Sequence, residues 1–392
     1  MATAVIVDAV RTPGGKRNGK LRNWHCVDLA SESLRALQAR NDLDPALVDD
    51  VVCGCVMQVG EQSLNIGRNA VLAAGWPESV PATTVDRQCG SSQQSMHFAA
   101  QGVIAGAYDV VVAMGVEGMT RTPMGSSVVR EIGFPFGPRV MARYAPVGGL
   151  VSQGIGAEMI ADQWGISREE LDQFGLRSHQ RAARATAEGR FERELIGLAV
   201  RDDDGQDTDE QMTTDEGIRP DSSLEALAKL KPAFHAHGTV TAGNASQTSD
   251  GAAAAIVMSM EKARAVGAAP LARFVAFAAA GTLPEEMGMG PVYAIPKALK
   301  LAGLKLEEID VIELNEAFAA QALAVIKVAR LDLEKVNVNG GAVALGHPLG
   351  CTGAKLTATL LGEMKRRHSR YGMVTMCVGG GMGAAGIFEN LQ

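Results

Sequence analysis

A cysteine followed by glycine and two serines is the most chemically suggestive short segment of this sequence. Cys89 lies in the run 86–92, after a strand-like stretch at 83–85 and before a helix-like stretch that starts at Ser91. Free N–H groups and the dipole at a helix start favour a thiolate and can hold an oxyanion. The pattern predicts that Cys89 is a nucleophile with a favoured thiolate, while an inert buried cysteine stays open on this segment alone.

A histidine in a glycine-rich loop is the second candidate. His347 follows a segment that contains Gly340 and Gly341, and Pro348 behind it restricts the backbone. Loops held by rigid elements are where catalytic residues concentrate. We expect His347 to act as a base toward Cys89 or toward a thiol substrate.

Two further polar residues follow buried strand-like runs. Cys377 precedes a glycine run that starts at Gly379, and Asn315 follows the run 309–314. Sites in α/β proteins are built at the carboxyl ends of strands, where Asn315 is able to fix a water or donate to a developing oxyanion. A thiol with a tuned pKa can exchange a proton with carbon. Cys377 together with Cys89 therefore indicates Claisen chemistry rather than peptide hydrolysis, which needs one cysteine.

Two other motifs carry less weight. The glycine run 379–383 resembles a dinucleotide fingerprint, but only nine residues follow it, too few for the helix and strand that such a site needs. Cys53 and Cys55 form a Cys-x-Cys pair without a second pair, and the alternation of 51–56 is typical of a buried strand. We therefore expect neither a nicotinamide cofactor nor a bound metal.

The elements that must position these residues alternate between strand-like and helix-like segments. The strand-like run at Val51 precedes Cys89 by about 40 residues, and the run at Val311 precedes Cys351 by about as many. Each cysteine opens a helix-like segment, and an apolar strand ending in glycine follows, with 374–378 as the last strand. This order predicts βαβ units around a largely parallel sheet, duplicated in two halves.

The middle of the chain breaks this alternation. It holds four prolines within 123–146, then two helix-like stretches and an acidic run at 202–210, which predicts a solvated loop or hairpin tip. We expect an insertion on the first half. The predicted divisions are a first half at 1–117 plus 248–269, an inserted loop domain at 118–247, and a second half at 270–392.

The composition is that of a globular protein with a large core. Of the 392 residues 46% are hydrophobic and 21% are charged, and the net charge is −7. This balance gives no basic footprint for nucleic acid or an anionic membrane, and no apolar run is long enough for a membrane span. Strand-like residues begin at Val5, which leaves no room for a leader, and the six cysteines fit reduced thiols. We expect a cytoplasmic protein.

Four of these segments together resemble the signature blocks of the thiolase family. They are Arg87-Gln88-Cys89-Gly90, Asn315-Glu316-Ala317-Phe318, Asn339-Gly340-Gly341-Ala342 with Gly346-His347-Pro348, and Cys377-Val378-Gly379-Gly380-Gly381-Met382-Gly383. The likeness covers essentially the whole chain in the order and spacing of the blocks. It implies an α/β fold of duplicated βαβαβαββ halves in a five-layer α-β-α-β-α sandwich, with an inserted loop domain and an active site where the halves meet.

The resemblance also implies roles for the residues. Cys89 would be acylated, Cys377 would move the proton of the substrate α-carbon, and His347 would activate Cys89 or coenzyme A. With Asn315, His347 would hold the thioester oxygen of an enolate, while the N–H groups of Cys89 and Gly379 would form a second oxyanion hole. The implied reaction is ping-pong thiolysis of a 3-ketoacyl-CoA, with coenzyme A as co-substrate and no permanently bound cofactor.

Contacts with coenzyme A are implied in the same way. The segment Gly243-Asn244-Ala245-Ser246 resembles the one that thiolases place along the pantetheine arm, which makes Ser246 a candidate. Met287 and Phe318 match apolar neighbours of that arm. Arg219 matches a basic residue near the nucleotide, and a solvated loop charge stays open for it. Since thiolases are dimers or tetramers, the resemblance implies a homodimer or homotetramer.

Departures from the pattern favour a degradative enzyme. Arg87-Gln88 before the first cysteine and the segment 349–353 look like 3-ketoacyl-CoA thiolases of β-oxidation, and Cys-Gly-Ser-Ser replaces the Cys-Gly-Ser-Gly of many biosynthetic members. Residues 150–157 lack the His-Met pair of short-chain enzymes, which leaves room for a bulky acyl group. We expect a 3-ketoacyl-CoA thiolase that degrades fatty acids or steroid side chains.

Two alternatives stay open. One is a short-chain acetyl-CoA C-acetyltransferase that works on acetoacetyl-CoA. The other is a thiolase-fold protein without thiolysis, such as a condensing synthase or a lipid carrier. Condensing synthases generally lack the second cysteine, so Cys377 argues against them.

Overall fold

The computed structural model describes residues 2–392, in which helices and strands alternate along most of the chain. The strands are β1 (Ala4–Arg11), β2 (Gly15–Lys16), β3 (Asp50–Gly54), β4 (Ala82–Val85), β5 (Val110–Gly118), β6 (Leu198–Arg201), β7 (Asp207–Met212), β8 (Ser249–Ser259), β9 (Ala272–Gly281), β10 (Val311–Leu314), β11 (Tyr371–Val378) and β12 (Met382–Asn390). The α-helices are α1 (Cys26–Asn41), α2 (Ile66–Ala73), α3 (Ser91–Ala105), α4 (Pro138–Tyr144), α5 (Gln153–Gln163), α6 (Arg168–Ala187), α7 (Leu224–Ala228), α8 (Met260–Ala265), α9 (Gly290–Ala302), α10 (Ala319–Ala329), α11 (Ala342–Leu345) and α12 (Thr352–Arg367).

Most strands form two sets with the same internal order. The first set runs β4-β3-β5-β8-β1, and the second runs from a bridge at Val336 through β10-β11-β12-β9. In each set the first three strands are parallel, and the fourth is antiparallel to both of its neighbours. A short pairing of β1 with β9 joins the two sets edge to edge. The predicted duplication is confirmed by this repeated order.

The sheet is mixed, so the expectation of a largely parallel sheet was wrong. In the second set the reason lies in the connection from β11 to β12, which consists of three glycines, 379–381. A connection that short can only join antiparallel strands. Gly380 and Gly381 adopt φ angles of 83° and 81°, which a side chain would disfavour.

Two strands escaped prediction, and the run 374–378 is therefore not the last strand. β9 and β12 are rich in alanine and glycine, which are depleted from strands because they offer little side chain to pack. Their apolar positions are buried or partly buried nonetheless, because each strand has a helix layer on both faces.

Three apolar layers alternate with the sheets. Helices α1 and α2 cover the outer face of the first strand set, α3 and α12 pack between the two sets, and α9 and α10 cover the outer face of the second. Within β3, Val51 points into the outer layer and Val52 into the central one, as the alternation of a strand requires. The five-layer α-β-α-β-α sandwich is thereby confirmed.

The segment between β5 and β8 carries α4 to α7 and the hairpin of β6 with β7. The acidic run forms the tip and second strand of this hairpin and is exposed, as predicted. Within residues 2–392, every helix is too short or too polar to cross a membrane.

A buried ion cluster ties this segment to β1. Arg11 is fully buried and donates to Asp215 at 2.7 and 2.9 Å and to Glu194 at 2.6 Å. Replacing Arg11 with methionine leaves two carboxylates buried without their cation, so we expect the free energy of unfolding to fall by about 3–5 kcal/mol. Denaturant unfolding measures this loss. The matched control is Lys229→Met, which breaks the exposed pair with Glu225 and should cost less than about 1 kcal/mol.

Candidate active site

The turn that carries Cys89 is held in an unusual conformation. Gln88 adopts a left-handed φ of 47°, and the carboxylate of Asp86 accepts its N–H at 2.6 Å. The hydroxyl of Ser91 accepts the N–H of Arg87 at 3.0 Å and donates to the carbonyl of Gln88 at 2.7 Å. Residues in such sparsely populated conformations cluster at functional sites. Cys89 consequently lies between the end of β4 and the start of α3, where the sequence placed it.

The second cysteine lines the same cavity. Cys89 and Cys377 are 4% and 7% exposed, and both border one narrow cavity together with Gly379. Asn315 and Cys377 lie at the carboxyl ends of the parallel neighbours β10 and β11, as the α/β rule predicts. Cys89 follows β4, a strand of the first set, so the cavity lies where the two strand sets meet.

Both cysteines are neutral thiols at pH 7. Burial raises the pKa of Cys89 to about 11 and outweighs the N–H groups of Gly379 and of Cys89 itself, which act in the opposite direction. Burial and the neighbouring Cys89 raise the pKa of Cys377. The expected thiolate is therefore wrong, because loss of water around the sulfur exceeds the effect of the helix start.

His347 is held at both ring nitrogens. Its Nδ1 lies 2.6 Å from the hydroxyl oxygen of Thr352, whose own hydrogen is donated to the carbonyl of Pro348 at 2.9 Å. Nδ1 therefore donates to Thr352, and Nε2 keeps a lone pair. The Nδ2 of Asn315 lies 3.3 Å from this Nε2. Burial and then Lys355 lower the pKa of His347 to about 3, so the imidazole is neutral and its Nε2 can accept a proton.

Two buried charged side chains fix the turn around His347. Glu117 accepts the N–H of Gly350 at 2.8 Å, which links β5 to that turn. Lys355 donates to the carbonyls of the two residues that precede His347. Sequence reasoning missed both, because a contact such as that of Glu117 spans 233 residues and leaves no local signal.

The coenzyme A candidates occupy three different positions. Met287 and Phe318 line the cavity beside Cys89. The N–H of Ser246 donates at 2.9 Å to the carbonyl of Ala317, a residue of the same lining. Arg219 is exposed, outside the cavity, and its backbone N–H donates to a histidine of α6. The structure brings together the first three and leaves Arg219 apart.

One wall of the cavity overlaps the segment 150–157, which the sequence reasoning connected with the acyl group without naming any lining residue. Gln153, Gly156, Ala157 and Ile160 of α5 face the two cysteines. Their spacing of i, i+3, i+4 and i+7 is that of one helix face, so the signal was present in the sequence. From the opposite side, Gln321 of α10 completes the lining.

Comparison with known proteins covers nearly the full chain. Residues 4–261 match the family described as Thiolase, N-terminal domain, and residues 268–390 match Thiolase, C-terminal domain. A 3-ketoacyl-CoA thiolase of Bacillus subtilis (strain 168) is 49% identical over 99% of this chain and 100% of that protein. A 3-ketoacyl-CoA thiolase of Pseudoalteromonas translucida (strain TAC 125) is 47% identical over 100% of both chains.

Two solved structures share the fold. The Bacillus anthracis acetyl-CoA acetyltransferase superposes with a TM-score of 0.90 at 41% identity, over 100% of this chain and 99% of that one. The human mitochondrial 3-ketoacyl-CoA thiolase superposes with a TM-score of 0.89 at 37% identity, over the same shares.

Proposed function

The chain belongs to the thiolase family, and we propose that it is a 3-ketoacyl-CoA thiolase (acetyl-CoA C-acyltransferase). It cleaves a 3-ketoacyl-CoA with coenzyme A and yields acetyl-CoA and a shortened acyl-CoA. The observation that carries this proposal is the pair of free, buried cysteines, Cys89 and Cys377, in one cavity. One thiol suffices for acyl transfer, and a second serves proton transfer at carbon.

The first half-reaction uses both thiols. Cys89 attacks the 3-keto carbon as its proton passes to Nε2 of His347. The carbon–carbon bond then breaks, its electron pair goes to the α-carbon of the leaving acetyl-CoA, and the thiol of Cys377 protonates that carbon. Asn315 and His347 hold the enolate oxygen, for which His347 uses the proton it has just taken up. The neutral imidazole and its bonded Nδ1 support this role, because they present a lone pair at Nε2.

In the second half-reaction coenzyme A removes the acyl group. Its thiol attacks the thioester on Cys89, and the N–H groups of Cys89 and Gly379 hold the oxygen of the tetrahedral intermediate. Both groups act on the Cys89 sulfur in the ligand-free site, which supports this assignment. The proton of the coenzyme A thiol passes to the thiolate of Cys377. The C–S bond to Cys89 then breaks, and the sulfur of Cys89 takes back the proton held by His347, so the enzyme returns to its two thiols.

Coenzyme A enters as a co-substrate, and no permanently bound cofactor is part of the proposal. Met287, Phe318 and Ser246 contact its pantetheine arm, and Arg219 contacts the nucleotide part. The proposed division is a first half at 1–117 plus 248–269, an inserted loop domain at 118–247 and a second half at 270–392, in a homodimer or homotetramer. All six cysteines are unpaired, which suits a reducing compartment such as the cytoplasm.

Mass spectrometry after mixing the protein with acetyl-CoA tests the covalent step. We expect one acetyl group per chain, attached to Cys89. An unmodified protein, or an adduct on Cys351 alone, would contradict the proposal.

A short-chain acetyl-CoA acetyltransferase is the second candidate, and the likeness to the Bacillus anthracis enzyme favours it. The relative kcat/KM for acetoacetyl-CoA and for a long-chain 3-ketoacyl-CoA separates the two. We expect the longer substrate to be cleaved faster, because small residues such as Gly156 and Ala157 line the cavity beside Cys89. A marked preference for acetoacetyl-CoA would select the second candidate.

Thr352 is a positioning residue for His347, and its replacement has a distinctive consequence. Thr352→Val keeps the shape but leaves Nδ1 of His347 without its acceptor, so the reactive tautomer is no longer enforced. We expect kcat of thiolysis to fall about 10- to 100-fold, within the range of about 1–3 kcal/mol for a buried donor that loses its acceptor, with KM for coenzyme A little changed. Steady-state kinetics measure both. Thr352→Ser keeps the hydroxyl and should retain most of kcat, and equal kcat in both variants would contradict the assignment.

A further inference from the structure

A buried amide without partners faces the cavity beside the two cysteines. Gln321 is 1% exposed, and neither its amide nitrogen nor its amide oxygen has a hydrogen-bond partner among the described residues. Buried polar groups are nearly always paired, because an unpaired one loses its interaction with water without replacement. The amide of Gln321 is therefore free to donate a hydrogen bond to, and accept one from, a ligand group that enters the cavity.

A second amide lies on the other wall. Gln153 of α5 is partly buried, and its side chain makes no hydrogen bond within residues 2–392. Its Nε2 lies 3.0 Å from where a Cβ on Gly379 would be, which places the amide against the proposed oxyanion hole. Two helices thus present amides to the cavity beside Cys89, and that of Gln321 is buried without a partner.

The remainder of the lining is uncharged. It consists of Cys89, Gly156, Ala157, Ile160, Met287, Gly288, Ala317, Phe318, Cys377, Val378 and Gly379. A carboxylate buried in such a lining would have no cation to offset its lost hydration. A plain hydrocarbon chain would offer the buried amide of Gln321 no hydrogen-bond partner.

We infer that the preferred acyl group carries a neutral oxygen, as a hydroxyl or a carbonyl, beyond the carbon that bonds to Cys89. This inference rests on the proposed thiolase function and specifies its substrate class. A hydroxyl donates to one amide oxygen and accepts from the other amide nitrogen, so it gives Gln153 and Gln321 one hydrogen bond each. A site built to bond such an oxygen discriminates against the analogue that lacks it.

The test compares 3-ketoacyl-CoA substrates of one medium chain length. The first is unsubstituted, a series carries a hydroxyl at successive carbons beyond the keto group, and the last ends in a carboxylate. We expect kcat/KM for the best hydroxylated substrate to exceed that of the unsubstituted one about tenfold, the effect of roughly one net hydrogen bond. Cleavage without this preference, or a preference for the carboxylate, overturns the inference. Absence of cleavage for every substrate overturns the proposed function instead.

Two variants locate the preference. Gln321→Leu and Gln153→Leu should each bring the ratio of kcat/KM, hydroxylated over unsubstituted, close to one. Gln163→Leu changes an exposed glutamine of the same helix α5 and should leave the ratio at its wild-type value. Thermal unfolding shows which variants are folded, and either glutamine variant alone suffices for the comparison. A folded Gln321→Leu or Gln153→Leu protein that keeps the full ratio contradicts the inference.

Discussion

Replacement of Cys89 with alanine is expected to lower kcat of thiolysis by about ten-thousandfold or more, the scale seen when an enzyme loses its nucleophile. Cys89 is the thiol to which the proposed mechanism attaches the acyl group, and no other cysteine occupies its turn between β4 and α3. Alanine fits the same space, so the fold should persist. Steady-state thiolysis measures kcat, and mass spectrometry should find no acyl adduct after incubation with acetyl-CoA.

The duplication of the fold supplies a matched control. Cys351 precedes α12 as Cys89 precedes α3, and it is equally buried. It packs against Ala253 and Ala354 and lies outside the cavity that holds Cys377. Cys351→Ala should therefore retain most of kcat and the acetyl adduct. A Cys89→Ala protein with wild-type kcat, or loss of the adduct only in Cys351→Ala, would show that the nucleophile had been assigned to the wrong half.

The fold was predictable where a strand or helix carries its own signal. Branched apolar residues revealed β3 and β5, and the repeated spacing around Cys89 and Cys351 revealed the duplication. The Ala- and Gly-rich strands β9 and β12 gave no such signal, because their burial comes from helices on both faces and not from their own side chains. The sheet was wrongly expected to be largely parallel for the same reason, because β12, which runs antiparallel to its neighbours, was not predicted.

The residues of the site were predictable as types and positions, but their electrostatics were not. The sequence shows that Cys89 starts a helix, and it does not show that the sulfur is cut off from water, which raises its pKa to about 11. Likewise, the contact of Thr352 with His347 depends on the bend at Pro348. Gln153 and Gln321 carry no functional signal in the sequence. Their role could not be predicted because it depends on two helices that face the same cavity.

Replacement of Cys377 with alanine should separate the two thiols by function. Proton transfer to and from the α-carbon then loses its acid and base, so we expect kcat of thiolysis to fall about 100- to 10,000-fold. Acetylation of Cys89 by acetyl-CoA needs no proton transfer at carbon and should continue. The measurements are the rate of deuterium exchange into the methyl group of acetyl-CoA in heavy water, and the acetyl adduct by mass spectrometry.

The two measurements distinguish loss of the proposed acid and base from general damage to the cavity. A collapsed cavity would lose exchange and adduct together, whereas the proposed division of labour removes the exchange and keeps the adduct. Cys89→Ala is the reciprocal variant and should lose the adduct. If Cys377→Ala exchanged deuterium at the wild-type rate, another group in the cavity would have to carry the proton. His347 would be the next candidate, because its Nε2 lies 3.3 Å from the Nδ2 of Asn315.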